Sequence, residues 1–81
     1  MGTLSNISTT VFRDYLKSLG LTCERINGGH EIWSKEGMRR PVIFQTHIDP
    51  ISEFIVRNNL RTLGKTRKDI ESFMKNSSSI K

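Results

Sequence analysis

Two stretches of this chain carry residue types that move protons or grip anions. The first is Gly28-Gly29-His30. Glycine reaches backbone angles closed to other residues and lets a second backbone or a phosphate come close. The imidazole follows at once, and an ordinary histidine pKa near ~6.5 suits proton transfer at neutral pH. His47 is the other histidine; its place before Asp49-Pro50 also suits a residue that ends a strand or flanks a helix cap. The second stretch is Arg57, Arg61, Lys65, Arg67 and Lys68, uninterrupted by any acid, with Arg39-Arg40 upstream. Such charges bind phosphates when gathered on one surface and are otherwise solvated faces of little energetic weight. The chain has no catalytic triad, phosphate loop or paired-carboxylate signature. Cys23, His30 and His47 lack any zinc spacing, and a stable site needs about three or four protein ligands, so no metal or cofactor is expected.

Whatever these residues do, a small scaffold must position them. With 81 residues the chain makes one domain, which buries only ~60% of the surface its unfolded form exposes. A large enzyme with a deep substrate cavity is excluded. Hydrophobic residues at 35% and charged residues at 26% fit a folded domain rather than a disordered tail. The net charge of +5 and a pI near 9.9 point to a polyanionic partner, nucleic acid or acidic protein. The excess is C-terminal: residues 1–30 carry +1, residues 31–56 carry −1 and residues 57–81 carry +5. One cysteine forms no internal disulfide, which fits a reducing compartment. No apolar run approaches the ~20 residues of a membrane span, and the first ten residues hold no hydrophobic signal core. A cytoplasmic protein is expected.

The periodicity predicts an α+β chain. Val11, Phe12, Tyr15, Leu16 and Leu19 recur at helical spacing after a Ser8 or Thr9 cap, and Gly20 stops that helix. Leu21 to Ile26 reads as a strand, Asn27-Gly28-Gly29 as a tight hairpin turn, and His30 to Lys35 as a second strand. Alternation sets Glu31, Trp33 and Lys35 opposite His30, Ile32 and Ser34, so the sheet carries bulky apolar groups on both faces and one face can stay open to a partner. Glu36-Gly37-Met38 is a second turn. Pro41 to Thr46 reads as a third strand, with Val42 and Phe44 facing one side. Asp49-Pro50 reads as an N-cap with proline at the first helical position. Val56, Leu60 and Leu63 stripe the next helix up to Gly64. Ile51, Phe54 and Ile55 fall opposite that stripe, so either the first turn is irregular or the helix is buried on two sides. Thr66 with Asp69 opens a short last helix bearing Ile70, Phe73 and Met74. Residues 1–75 form the domain and Asn76 to Lys81 a frayed tail.

An opening amphipathic helix ending in Leu19-Gly20, then Gly28-Gly29-His30-Glu31-Ile32-Trp33, then Pro41-Val42-Ile43-Phe44, resembles the HicA toxin family, small mRNA interferases of toxin–antitoxin systems. Val56-Arg57-Asn58-Asn59-Leu60-Arg61-Thr62-Leu63-Gly64 is similar to that family's second helix, of the form Leu-Arg-x-x-Leu-x-x-Leu-Gly. The resemblance covers about residues 8–75 and lies in the order and spacing of these motifs together. It implies a double-stranded-RNA-binding-like α-β-β-β-α domain, here with an extra C-terminal helix, and ribonuclease activity. The family's active histidine corresponds to His30. This chain has Gly29 where the family often has serine.

On this reading the chain is a metal-independent endoribonuclease cutting mRNA, with His30 as acid–base residue, either base or acid. Gly28, Gly29, Lys35, Arg39 and Arg40 are the expected RNA-binding residues. The implied partner is an acidic HicB-like antitoxin that occludes His30, and oligomers are expected only through it. Two other readings suit the same residues: an RNA-binding module that does not cut, and an adaptor whose basic face docks an acidic protein.

Overall fold

The computed structural model describes residues 7–79. Ser8 is the cap of the first helix, α1 (Thr9–Ser18): its Oγ accepts from the Val11 N–H at 3.1 Å. The helix closes as its periodicity predicts. Gly20 N–H donates to Lys17 O and Leu21 N–H to Leu16 O, both at 3.0 Å. This pattern satisfies the orphan carbonyls of the last turn, and Leu16 and Leu21, which bracket it, are both buried.

Three antiparallel strands follow in the order β1 (Thr22–Asn27), β2 (His30–Ser34) and β3 (Val42–Gln45). Their register sets Asn27, His30 and Gln45 side by side, with Arg25, Ile32 and Ile43 as the next row. Directly paired residues share a face. On the other face Glu31, Trp33, Val42 and Phe44 are buried. All the helices lie on that buried side. Phe12 meets Phe44 edge-on with ring centroids 5.2 Å apart, and Leu16, Val56, Leu60 and Ile70 complete the core. The opposite face is uncovered, and Ile43 is 42% exposed there. Strand β1 is exposed along its whole length.

Helix α2 (Glu53–Leu63) begins later than the sequence predicts. Asp49 does not cap it and Pro50 is not its first residue. Ser52 is the cap, accepting from the Phe54 N–H at 3.2 Å. The Asp49 Oδ1 accepts instead from the Thr9 N–H of α1, at 2.9 Å. The peptide bond before Pro50 is cis, and Ile51 pairs with Ile7 as an isolated bridge. The segment before α2 is therefore irregular. That accounts for Ile51, buried ahead of the helix, while Phe54 stands 69% exposed.

Within α2, Asn59 is buried and its Nδ2 donates to the Ile43 carbonyl at 3.1 Å. That bond satisfies a polar group on the outer edge of β3 and ties helix to sheet. Replacing Asn59 with alanine leaves the carbonyl unpaired, and urea unfolding is expected to show a loss of about 1–3 kcal/mol.

Helix α3 (Arg67–Ser79) is longer than predicted, because its backbone stays helical through residues 76–79. Residues 80 and 81 of the expected tail, and the first six residues, lie outside the described range. Asp69, expected to help open this helix, accepts from the Tyr15 hydroxyl at 2.5 Å and ties α3 to α1. Burial, first, and this bond, second, push the Tyr15 pKa up.

Candidate active site

The turn between β1 and β2 contains only Gly28 and Gly29, since Asn27 and His30 already pair across it. Both glycines have left-handed φ values, 62° and 85°. Two successive residues of that kind match the twist of a two-residue hairpin, which explains the sequence requirement. His30 consequently stands exposed at the first position of β2, on the open face, in a row with Asn27 and Gln45.

Beyond Gln45 the pairing continues for one more bond: the Thr46 N–H donates to Gly29 O at 2.8 Å. This carries the chain back to the glycine turn. A Cβ placed on Gly29 would lie 4.0 Å from Cδ2 of His47. The second histidine thus lies against the turn that presents the first. Among the described residues neither side chain has a hydrogen-bond partner in the protein.

Beneath the turn, on the buried side, is a polar network that the sequence did not reveal. Glu31 is 3% exposed. Its carboxylate takes the Arg13 guanidinium, with Arg13 Nε at 3.1 Å from both oxygens and Nη2 on Oε2. It also accepts from Trp33 Nε1 at 2.9 Å and Thr46 Oγ1 at 2.5 Å. Hydrogen bonding to Arg13 is the main reason its pKa falls to about 2; burial opposes this, and the Thr46 and Trp33 bonds add to it. Arg13 is shifted upward, chiefly by the same bond. Glu31 follows His30 in the chain and Thr46 precedes His47, so one ion pair locks the neighbours of both histidines. The sequence held one signal for it: alternation placed Glu31 on the same face as Trp33. A carboxylate on a core face needs a partner, but nothing local named Arg13.

A second anchor holds the segment after His47. Thr9 Oγ1 donates to Ile48 O at 2.7 Å, beside the bond from the Thr9 N–H to Asp49.

The expected RNA-binding residues do not gather in one place. Gly28 and Gly29 adjoin His30. Lys35, Arg39 and Arg40 lie at the other end of the β2–β3 hairpin, across a strand of four steps, roughly 13 Å at ~3.3 Å per residue. Lys35 Nζ donates to Leu19 O at 2.8 Å, where it satisfies the C-terminus of α1. Arg39 and Arg40 instead line an open groove of about 460 Å³ with Gly37, Met38, Arg61 and Thr62.

Among the described residues no three His, Cys, Asp or Glu side chains cluster to hold a metal ion, and no helix is long and apolar enough to cross a membrane. Cys23 is exposed. No protein family, curated protein or solved structure matches the chain. The fold is a small α+β domain of one helix, three antiparallel strands and two further helices. What the site can do rests on its own chemistry: two exposed imidazoles lie beside one glycine turn, and an imidazole can both accept and donate a proton.

Proposed function

We propose that this chain is a metal-independent endoribonuclease of HicA type, built on a double-stranded-RNA-binding-like domain, which cuts mRNA in the cytoplasm. The observation that carries this reading is the open presentation of His30 by the Gly28-Gly29 turn, with His47 against the same turn. RNA brings its own nucleophile. A neutral imidazole takes the proton of a 2′-hydroxyl as its oxygen attacks the adjacent phosphorus. The bond to the 5′-oxygen breaks, and an imidazolium protonates that leaving group. The products are a 2′,3′-cyclic phosphate and a free 5′-hydroxyl. In this reading His30 supplies one half of this exchange, and His47, beside the same turn, is the candidate for the other. Each such role contributes typically ~10²–10⁴-fold. The partner in this reading is an acidic HicB-like antitoxin covering His30 on the uncovered sheet face. A stable complex of this kind buries ~1,200–2,000 Å² in total.

The test is incubation of the purified chain with a mixed RNA pool in EDTA, followed by end-group analysis. Expected are fragments with cyclic-phosphate ends, and no cutting at positions where the 2′-hydroxyl is replaced by hydrogen. Intact RNA that nevertheless shifts in a gel overturns the enzyme and leaves the non-cutting RNA-binding module.

A further inference from the structure

The groove beside Arg39 and Arg40 does not end there. Arg61 also lines an adjoining groove of about 440 Å³, together with Arg57, Leu60, Lys65 and Arg67. Among the described residues no carboxylate lines either one. Two of the six cations have local partners one helical turn away. Arg57 pairs with Glu53 at 3.1 Å and Arg67 with Glu71 at 3.3 Å. Among the described residues Arg39, Arg40, Arg61 and Lys65 have no ion pair. Arg61 and Lys65 have a partial explanation in the C-terminus of α2, whose carbonyl end favours positive charge. Arg39 and Arg40 have none, because they come from the β2–β3 connection rather than from that helix. The fold thus brings like charges from two distant segments to one surface, where their mutual repulsion, screened by salt, is relieved further when an anion lies between them.

We infer that Arg39, Arg40, Arg61 and Lys65 form a track for the phosphate backbone of single-stranded RNA. Three guanidinium groups and an ammonium lining two grooves that share Arg61 suit a repeating phosphate chain, and Met38 and Leu60 give the walls apolar surface beside it. A tightly bound protein partner usually inserts an anchor side chain into an enclosed pocket, and both of these grooves are open and carry six cations between them. The track lies at the far end of β2 from His30, roughly 13 Å away along that strand. It extends the proposed endoribonuclease by a remote grip on substrate, and its binding role can be tested without any cutting.

The decisive measurement is the salt dependence of binding to a labelled single-stranded RNA, carried out on the full chain bearing His30→Ala so that the probe stays whole. Each phosphate contact contributes ~0.7 to the slope of log affinity against log salt. Adding Arg39→Ala and Arg61→Ala together is expected to lower that slope by about 1.4 and to weaken binding alike across RNA sequences. Adding Lys75→Ala, an exposed cation on α3 outside both grooves, is expected to leave the slope as it was. Circular dichroism establishes that each variant is folded; should the double variant unfold, Arg40→Ala alone is expected to lower the slope by ~0.7. An unchanged slope in folded groove variants overturns the track, whatever the nuclease assay shows. A lowered slope in a chain that never cuts RNA upholds the track and overturns the endoribonuclease.

Discussion

Replacing His30 with alanine is expected to slow RNA cleavage by ~10²–10⁴-fold while leaving the unfolding transition in place. The two halves of that expectation have separate grounds. His30 is exposed at the first position of β2, and among the described residues its imidazole bonds to nothing in the protein, so its removal opens no cavity and strands no buried group. Such surface changes usually lie within about 0.5 kcal/mol. The cleavage loss follows from the proposed chemistry, in which His30 is one of two proton-transfer groups. Single-turnover cleavage at saturating RNA, paired with a urea titration of the same protein, separates the two. Full cleavage by a folded His30→Ala chain sinks the proposed chemistry. His47→Ala is expected to lower cleavage in the same experiment, since His47 lies against the same turn.

Arg13→Ala carries the largest expected effect on stability. It leaves the Glu31 carboxylate buried with only Trp33 and Thr46 to satisfy it. Breaking a buried pair by removing one partner typically costs about 3–5 kcal/mol, a large part of the ~5–15 kcal/mol that holds a small domain. The same pair sets an acid limit. Glu31 titrates at about 2 in the folded chain against 4.5 when free. A carboxylate depressed on folding contributes its stability above its unfolded value and loses it as pH falls. The wild-type chain should therefore lose on the order of 3 kcal/mol between pH 4.5 and pH 2 through this group alone. Urea midpoints measured across that window for wild type, Arg13→Ala and Glu31→Gln check the claim. The wild-type midpoint should fall steeply, and Glu31→Gln should flatten the decline. An equally steep decline in Glu31→Gln would assign the acid sensitivity to other carboxylates. Because Glu31 and Thr46 adjoin the two histidines, Arg13→Ala should also slow cleavage at temperatures where it remains folded.

Much of the scaffold is legible locally, because the forces that set it act within a few residues. The apolar spacing from Val11 to Leu19 makes α1, and the Gly20 N–H ends it on Lys17 O. Asn27-Gly28-Gly29 makes the hairpin because successive left-handed angles are cheap only there. Period-two alternation set Glu31 and Trp33 against His30 and Ile32, and so placed the imidazole on the open face. The HicA resemblance pointed to His30, while the geometry around it came from the turn.

Tertiary structure decided what depends on partners far apart in the chain. Asp49-Pro50 is a sound local signal for a helix start, yet the Asp49 oxygen is bound to Thr9, 40 residues earlier, and the helix waits for Ser52. Glu31 had to find its cation on α1, and spacing along a strand does not say which helical arginine will face it. Lys35, Arg39 and Arg40 looked like company for His30 in sequence, but β2 is a rigid spacer and puts its two ends on different sites. The same folding step that removed Arg39 and Arg40 from the histidines delivered them to Arg61 on α2. Short-range sterics and periodicity thus settle elements and faces, whereas long-range packing chooses which charges meet, because that choice depends on how helices cross the sheet and not on any residue's neighbours in sequence.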